Sequence, residues 1–254
     1  MVTQFNELTD SQWEVISPLL NIQRKRKNLL RNVLNGMFFI LRTGTQWRNL
    51  PSSYPKWQSV YYYFYRWTQD GTIESLNMSL NCHIRMQSGK EATPSLGCVD
   101  SQSIKLAPMI FEDKGIDGNK KINGRKRQVL VDTLGFVWAC NVHAANLPDT
   151  IMGCELFDKI KHKLQRLEKV LVDAGYKGTF IEEAKSRFNI TVEVTSKPPS
   201  TKGFVPVAKR WVSERTFGWF NFFRRLSKDY EHSTKCAQSM ILLANCALVL
   251  NRIN

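Results

Sequence analysis

The sequence predicts an α/β protein in which a small all-helical amino-terminal domain precedes a mixed β-sheet flanked by helices. Over about the first ninety residues, apolar side chains recur at the three- and four-residue steps of amphipathic helices. Beyond residue 93, short apolar runs typical of strands alternate with helical stretches. The polar stretch 87–93 separates the two patterns, so we predict domains over residues 1–92 and 93–254.

The amino-terminal domain is predicted to begin with two helices. Thr9 and Gln12 have the spacing of a capping box, and Pro18 should end the helix that they start. Apolar residues at helical spacing predict the second helix over residues 30–41, with its end near Gly44. Such amphipathic helices are expected to pack against each other.

Two further helices follow a loop that is bracketed by Pro51 and Pro55. The third helix carries an aromatic stripe that we expect to lie mainly in the core, formed by Trp57, Tyr61, Phe64 and Trp67. The fourth helix is predicted to run from a Thr72 cap to near Gly89. Several short helices with basic flanks are typical of a DNA-binding module, so we expect that role for residues 1–92.

The second part of the chain is predicted to form a sheet. Strands are predicted over residues 96–104, 128–132, 136–143, 170–172 and 191–195, the second and third of them as a hairpin. Helices are predicted over residues 150–164, 179–188, 208–226 and 233–250. Three strands followed by alternating helices and strands predict a mixed sheet and match a ribonuclease H-like fold, although several other α/β folds begin in the same way.

The charge of the chain favours a polyanionic partner. Lys and Arg number 36 against 22 Asp and Glu, a formal net charge of +14, and the excess is clustered. Nucleic acid is therefore the first partner to consider, although simple solubility would also explain a basic surface. Between Lys114 and Gln128, six basic residues accompany one acid, Asp117, in a segment suited to a phosphate backbone; a solvated loop is the alternative.

Composition also bounds the compartment. No apolar run approaches the roughly 18 residues of a membrane span, and residues 1–10 lack the pattern of a targeting segment. We therefore expect a cytoplasmic protein without a membrane partner. The six cysteines are far apart, and neither they nor the four histidines have metal-ligand spacing, which predicts reduced, packed thiols and no intrinsic zinc site.

Three carboxylates are candidates for a metal site. Asp100 ends the apolar run 96–99 and Asp173 ends the run 170–172, positions at which an acid is costly to bury unpaired. Glu214 lies in the predicted helix over 208–226. If the fold brings the three together, their oxygens would hold two Mg²⁺ ions and support phosphoryl transfer. Structural salt bridges explain the two aspartates equally well. The set of two Asp and one Glu is also a weak signal by itself, because many such triples exist among 22 acids.

The segments around these acids resemble the insertion-sequence transposases of the IS4 and IS5 superfamily, and the IS5-like group fits best. Residues 99–105 (VDSQSIK), 172–178 (VDAGYKG) and 210–217 (RWVSERTF) are similar to the family's first-, second- and third-carboxylate segments. Further similarity lies in residues 8–13, 46–51, 118–135 and 224–231. The resemblance therefore covers nearly the whole chain.

This resemblance implies a ribonuclease H-like DDE catalytic domain that cuts and rejoins DNA. Asp100, Asp173 and Glu214 would be both the catalytic residues and the ligands of two Mg²⁺ ions, for which Mn²⁺ could substitute. Element ends would be hydrolysed and then joined to a target by a homodimer in complex with DNA. The basic side chains expected to contact DNA are Arg24, Lys25, Arg26, Lys27, Lys120, Lys121, Arg125, Lys126, Arg127, Arg210, Arg224 and Arg225.

The sequence departs from the family at two positions. Related transposases carry Tyr, Arg, Glu and Lys at fixed steps, and the Arg and the Glu are present here. Val207 stands at the Tyr position and Asn221 at the Lys position. We expect the basic role of that Lys to pass to Arg224 or Arg225, because a guanidinium group also binds phosphate.

Two features near the candidate site have structural interpretations. Asp132 precedes Thr133, Leu134 and Gly135, a run typical of a hairpin turn, so we expect a structural role for this acid instead of a place in the triad. Aromatic rings crowd around Glu214, and we expect most of them to pack the helix onto the sheet.

Two alternative functions remain open at this point. A metal-dependent nuclease of the same fold would use the same three acids but would cut DNA without joining it. A DNA-binding regulator would hold these acids for structural reasons only, and a chelator would leave its DNA binding unchanged. The sequence does not separate the first alternative from a transposase, because hydrolysis and strand transfer use the same metals.

Overall fold

The computed structural model describes residues 7–20, 27–195 and 211–253, and within them the chain has a mixed α/β fold with its helical part first. The helices are α1 (Asp10–Ile16), α2 (Leu30–Thr43), α3 (Trp57–Gln69), α4 (Thr72–Gln87), α5 (Asp149–Ile160), α6 (Thr179–Phe188), α7 (Trp211–Phe220) and α8 (Thr234–Leu250). The strands are β1 (Leu96–Lys105), β2 (Gly115–Asp117), β3 (Ile122–Asp132), β4 (Val137–Ala144), β5 (Lys169–Val172) and β6 (Thr191–Val194). Arg24, Lys25, Arg26, Val207 and Arg210 lie outside the described residues.

Contacts divide the chain into two compact units. One comprises Met1–Ala92 together with Phe220–Asn254, and the other comprises Thr93–Trp219. The expected domain over residues 93–254 is therefore not one unit, because its last 35 residues pack with the amino-terminal helices. α8 carries apolar side chains on most of its sides, so other elements must pack against it from several directions. α4 makes many of these contacts.

The helical unit begins as its local sequence predicts. Both bonds of the capping box are present, since the Thr9 hydroxyl accepts from the Gln12 amide and the Gln12 side chain accepts from the Thr9 amide. α1 gives way to a 3₁₀ turn at Ser17–Leu19, where Pro18 cannot donate the next helical hydrogen bond. α2 ends at Gly44, which caps it in the left-handed conformation with φ +69°.

The aromatic stripe of α3 is only partly core. Phe64 and Trp67 are buried, whereas the side chain of Tyr61 is 38% exposed and that of Trp57 is half-buried. The stripe therefore has a buried end and an open end. α4 starts at Thr72, but its cap is Gly71 in the left-handed conformation, not Thr72 itself.

Polar groups within the helical unit fix how α8 is placed there. The buried Asn245 amide on α8 donates to the side-chain oxygens of Asn77 and Asn81 on α4, at 2.6 and 2.9 Å. Arg225 and Glu231, which lie just before α8, form a buried ion pair at 2.7 Å. Buried polar groups of this kind specify one arrangement of the helices, because any other would leave them unpaired.

The second unit is built on a mixed sheet. β1 pairs antiparallel with β3 and parallel with β5, and β6 adds parallel to β5. β4 pairs antiparallel with β3 from Arg125 to Val131, whereas β2 pairs with the beginning of β3. α5 packs on β3 and β4, and α6 packs on β6. The predicted hairpin is thus confirmed, but β3 begins at Ile122 instead of residue 128.

The turn between β3 and β4 depends on Asp132, which is fully buried. Its carboxylate accepts hydrogen bonds from the amides of Leu134 and Phe136, at 2.8 and 3.1 Å, and from the indole of Trp138, at 3.1 Å. The structural role predicted for this acid is confirmed. Its three donors explain why an acid is tolerated in the core.

Two further features bear on the expected compartment. Within the described residues, every helix is too short or too polar to cross a lipid bilayer. All six cysteines are free thiols, and all but the half-buried Cys82 are buried, which confirms the prediction of reduced, packed thiols.

We predict that Gly124→Ala destabilises the sheet unit. A Cβ at Gly124 would lie 1.9 Å from the backbone oxygen of Ile104 on the paired strand β1, so the strands would have to separate. Overpacking of this kind costs about 1–3 kcal/mol in the free energy of unfolding, which urea titration measures. Gly118→Ala is the matched control, because a Cβ there meets nothing within 4 Å. Equal losses for the two variants would contradict this explanation.

Candidate active site

Asp100 and Asp173 come from two adjacent strands. Cys98 on β1 pairs with Leu171 on the parallel strand β5. Asp100 is two residues beyond Cys98 within β1, and Asp173 directly follows the last residue of β5. The negative charges of both acids raise the pKa of Tyr176, so both carboxylates lie near its hydroxyl. Both side chains are half-buried, so their oxygens are accessible to a ligand.

A hydrogen bond ties Asp100 to helix α7. The hydroxyl of Ser213, which is fully buried, donates to Asp100 Oδ2 at 2.8 Å, and Oδ1 accepts from the amide of Ser101 at 2.8 Å. These residues are 113 positions apart in the chain. The bond places the first turn of α7 directly beside the first carboxylate.

The next residue, Glu214, is exposed on the same turn of α7. Consecutive residues point in different directions on a helix, so Ser213 faces Asp100 while Glu214 faces the solvent. Ser213 therefore joins Asp100 to the turn of α7 that carries Glu214. Nevertheless, within the parts of the chain that the structure describes, no three His, Cys, Asp or Glu side chains are grouped closely enough to hold a metal ion.

A second set of contacts fixes α7 against the β3–β4 turn. The Thr216 hydroxyl donates to the carbonyl of Gly135 at 2.9 Å, and the Arg215 guanidinium donates to the carbonyl of Leu134 at 3.0 Å. The same guanidinium lies over the rings of two residues on α7, Trp211 and Trp219, at 4.5 and 4.6 Å. Trp211 is 40% exposed, whereas Phe217 and Phe220 are buried, so only some of the rings around Glu214 pack into the protein.

Asp173 is oriented by the turn that follows β5. Its Oδ1 accepts from the amide of Gly175 at 2.9 Å, and its carbonyl accepts from the amide of Tyr176. This local bond points the carboxylate along the turn. A carboxylate with one oxygen bonded to an amide keeps its other oxygen for a further partner.

A buried tyrosine lies near both aspartates. The Tyr176 hydroxyl accepts from the amide of Gln128 at 2.6 Å. Burial raises the pKa of Tyr176 well above its ordinary value, and the negative charges of Asp149, Asp100 and Asp173 add to the effect. Tyr176 is therefore neutral at any physiological pH.

The residues present partly fit a divalent metal. Asp100 and Asp173 supply hard oxygen donors from two adjacent strands, which is the donor type that Mg²⁺ and Mn²⁺ prefer. The hydroxyl of Ser213 holds one oxygen of Asp100, and Glu214 is close along the helix but outside any three-residue group. Two aspartates thus offer suitable oxygen donors, and Glu214 lies on the turn of α7 that is bonded to Asp100.

Several predicted DNA contacts have structural roles instead. Arg125, Lys126 and Arg127 lie on the buried strand β3 and are 0%, 9% and 4% exposed. Arg125 donates to the carbonyl of Glu112, and Lys126 pairs with Asp149 at 3.1 Å. The guanidinium of Arg127 bonds to the Gln102 side chain on β1. The sequence suggested a basic loop, because a run of charges rarely lies in a strand.

The remaining predicted basic residues divide in the same way. Arg225 is buried in its ion pair with Glu231, so of the two candidates for the missing Lys role only Arg224 is exposed. Lys27, Lys120 and Lys121 are also exposed.

The turn that carries Lys120 and Lys121 is shaped by Asp117. This buried carboxylate accepts from the Ser103 hydroxyl and from the amides of Asn119 and Lys120. Burial alone would raise the pKa of Asp117, but these hydrogen bonds outweigh it and hold the pKa below its ordinary value. The acid within the basic segment thus orders the turn and leaves the two lysines pointing outward.

Sequence reasoning missed Ser213 and the pair formed by Gln128 and Tyr176. Ser213 lies within the third-carboxylate segment, but nothing in the local sequence indicates that its hydroxyl contacts strand β1. A polar residue on the buried side of a helix was the available signal. Gln128 follows three basic residues that suggest a loop, so its burial beside Tyr176 was not predicted.

Two carboxylates from adjacent strands of a mixed sheet suit enzymes that bind divalent metal ions and act on phosphate esters. Comparisons with known proteins agree with that class. Residues 91–250 match the family described as "Transposase DDE domain", and residues 8–77 match "Putative transposase of IS4/5 family". The chain therefore belongs to the DDE transposases of the IS4/5 family, which confirms the resemblance seen in the sequence. Membership implies dependence on divalent metal ions.

A curated relative supports the same family. The "Putative transposase for insertion sequence element IS402" of Burkholderia cepacia is 28% identical over 137 residues. The match covers 51% of this chain and 64% of the relative, so it spans less than two thirds of that protein's length.

We predict that Ser213→Ala lowers the free energy of unfolding by about 1–2 kcal/mol, because a hydrogen bond to a charged group is lost. Ser101→Ala is the matched control, since Ser101 follows the same carboxylate but meets it through its backbone amide. We expect that control to change stability by less than about 0.5 kcal/mol. Urea unfolding in metal-free buffer measures both variants. A Ser213→Ala variant as stable as the wild type would show that the hydroxyl does not hold Asp100.

Proposed function

We propose that this chain is the transposase of a bacterial insertion sequence of the IS5-like group. It binds element ends, hydrolyses phosphodiester bonds there, and joins the freed ends to a target DNA. The observation that carries the proposal is that Asp100 and Asp173 come from the adjacent strands β1 and β5, with Asp100 bonded through Ser213 to the helix that bears Glu214. Family membership supplies the reaction class, and this geometry supports the choice of residues.

The strand order supports a ribonuclease H-like catalytic unit. The antiparallel strands β1, β3 and β4 come first, and β5 and β6 then add in parallel to β1, with helices between them. This arrangement puts the end of β5 beside the middle of β1, where Ser213 of α7 bonds to Asp100. We therefore assign catalysis to residues 93–219 and DNA binding to the helical unit.

Asp100, Asp173 and Glu214 would hold two divalent ions, which we propose to be Mg²⁺ with Mn²⁺ as a substitute. When bound, such ions activate the attacking oxygen and stabilise the leaving oxygen of an in-line displacement. The chain's own groups prepare the ligands. Gly175 orients the carboxylate of Asp173, and Ser213 orients that of Asp100. Tyr176, held neutral by burial, lies near the pair without competing for a cation.

Exposed lysines are the proposed contacts to the DNA backbone. Lys120 and Lys121 project from the turn ordered by Asp117, and Lys27 and Arg224 are exposed on the helical unit. The net charge of +14 supports a polyanionic partner. We further propose that the chain acts in the cytoplasm and as a homodimer on DNA, because two element ends must be joined together.

One observation favours a different candidate function, a DNA-binding regulator without catalysis. The described residues contain no three-carboxylate group ready to hold a metal, as such a regulator would require. A nuclease that cuts without joining differs from a transposase only in the second step. A strand-transfer assay with pre-cut ends separates these two.

We predict that Asp100→Asn, Asp173→Asn and Glu214→Gln each abolish Mg²⁺-dependent cleavage of DNA carrying the element ends. Each change removes a negative charge that a metal ligand needs but keeps the size of the side chain. Glu182→Gln is the control, because Glu182 is an exposed acid on α6 that is not among the proposed ligands. Gel assays measure cleavage, and binding in the presence of a chelator should survive in all four variants.

If the three variants still cut, the assigned site is wrong. If the wild type binds element ends but neither cuts nor responds to a chelator, the regulator replaces the transposase. Cleavage without strand transfer from pre-cut ends would assign the nuclease.

We predict that Lys120→Ala with Lys121→Ala flattens the salt dependence of DNA binding. Each lost phosphate contact reduces the slope of log K against log salt by about 0.9, so two lost contacts reduce it by about 1.8. Lys161→Ala with Lys185→Ala removes the same charge from exposed positions elsewhere in the unit and should leave the slope nearly unchanged. Fluorescence anisotropy at several salt concentrations measures the slopes. The same slope in both double variants would place the contacts elsewhere.

A further inference from the structure

The helical unit contains an open pocket whose walls are aromatic and basic. Its volume is about 330 Å³, and its lining residues are Gln46, Trp47, Arg48, Trp57 and Tyr61. Three of them come from the 3₁₀ turn at Trp47–Asn49 and the residue before it, and two come from the start of α3. The assigned catalytic residues all lie in the other unit, so this pocket is not part of the proposed active site.

The core of the helical unit holds the aromatic wall in place. The Trp47 ring packs at 5.2 Å from the rings of both Tyr61 and Phe64, and Phe64 is fully buried. Trp57 and Tyr61 are four residues apart on α3 and therefore lie on one face of the helix. These rings are fixed surfaces, and a ligand that stacks on them loses little of its binding free energy to ordering them.

The polar groups of the pocket suit an anion attached to a planar ring. The Arg48 guanidinium lies 5.8 Å from the centre of the Trp57 ring, and Gln46 offers an amide with both donors and an acceptor. The pocket opens beside the first turn of α3, whose cap residue, Lys56, makes no side-chain capping bond. The positive end of the helix dipole and the charge of Lys56 thus favour a phosphate next to the aromatic wall.

The volume of the pocket fits one nucleotide and not a larger segment of DNA. A volume of about 330 Å³ is at the small end of ligand pockets, far below what a duplex would need. A paired base is also stacked on its neighbours and presents only its edges, whereas an unpaired base presents its faces. Aromatic side chains bind such faces with little regard to sequence.

We propose that this pocket binds one unpaired nucleobase of DNA, which stacks on Trp57 and Tyr61 while Arg48 contacts its phosphate. The proposal rests on the proposed function only in taking DNA as the partner. A proline-rich peptide also docks on aromatic grooves, but the cation in the wall and the net charge of +14 favour an anionic ligand.

The test compares three DNA probes with the full-length protein in buffer containing a chelator. The first probe is a duplex with a short thymidine overhang, the second is the fully paired duplex, and the third has an abasic overhang of the same length. Trp57→Ala should weaken binding of the first probe about tenfold, as loss of one stacked base predicts. It should leave the second and third probes unchanged within about twofold.

Tyr62→Ala is the matched control, because Tyr62 is an aromatic residue of the same helix, is 56% exposed and lies outside the pocket. It should leave all three affinities unchanged. Arg48→Ala and Gln46→Ala change exposed side chains and provide a second test if Trp57→Ala does not fold. Arg48→Ala should weaken the overhang and abasic probes alike, because both keep the phosphate, and should leave the paired duplex unchanged. Gln46→Ala should weaken the overhang probe several-fold more than the abasic probe.

The proposal fails if Trp57→Ala weakens all three probes equally, or none of them. It also fails if a proline-rich peptide binds in a Trp57-dependent way while the overhang and abasic probes bind equally. Asp100→Asn should retain the preference for the overhang probe. If Asp100→Asn still cuts DNA while this preference is intact, the proposed active site fails and the pocket does not.

Discussion

The parallel pairing of β1 with β5 is the constraint on which the candidate site depends. These strands are separated in sequence by a hairpin and a helix, yet their pairing brings both Asp100 and Asp173 near the hydroxyl of Tyr176. A shift of one residue would send one of the two carboxylates to the opposite face. Cys98, Val99, Leu171 and Val172 are all core residues, so both faces of the sheet are covered at this pairing.

In the proposed site, helix α7 would supply the third acid. Its contacts with the β3–β4 turn, through Thr216 and Arg215, set its direction, and the bond from Ser213 sets its distance from β1. Glu214 is thereby held on the turn that is bonded to Asp100 but turned toward the solvent. The helix is anchored at several points, so bringing Glu214 to a shared cation requires a change in side-chain rotamer or a small rotation of the first turn.

Local patterns predicted the elements that local contacts form. The bounds of α6 follow from its apolar spacing, and the hairpin turn at Asp132 follows from its turn residues. Features that depend on distant contacts were not predictable. The basic run at Arg125 suggests a loop, because the sequence does not show that the carbonyl of Glu112 accepts from the buried Arg125 side chain. Likewise, the apolar sequence of α8 predicts a buried helix, but it does not predict that the amino-terminal helices are what α8 packs against.

The candidate site was predictable as a set of residues but not as an arrangement. Its central claim is that Asp100, Asp173 and Glu214 bind divalent cations together. The most direct test is a crystal structure of the protein with Mn²⁺ and element-end DNA, located by the anomalous signal of the metal. The account predicts a peak between Asp100 and Asp173, with Glu214 turned to complete the ligands. An anomalous peak elsewhere, with the Ser213 bond to Asp100 intact, would contradict it.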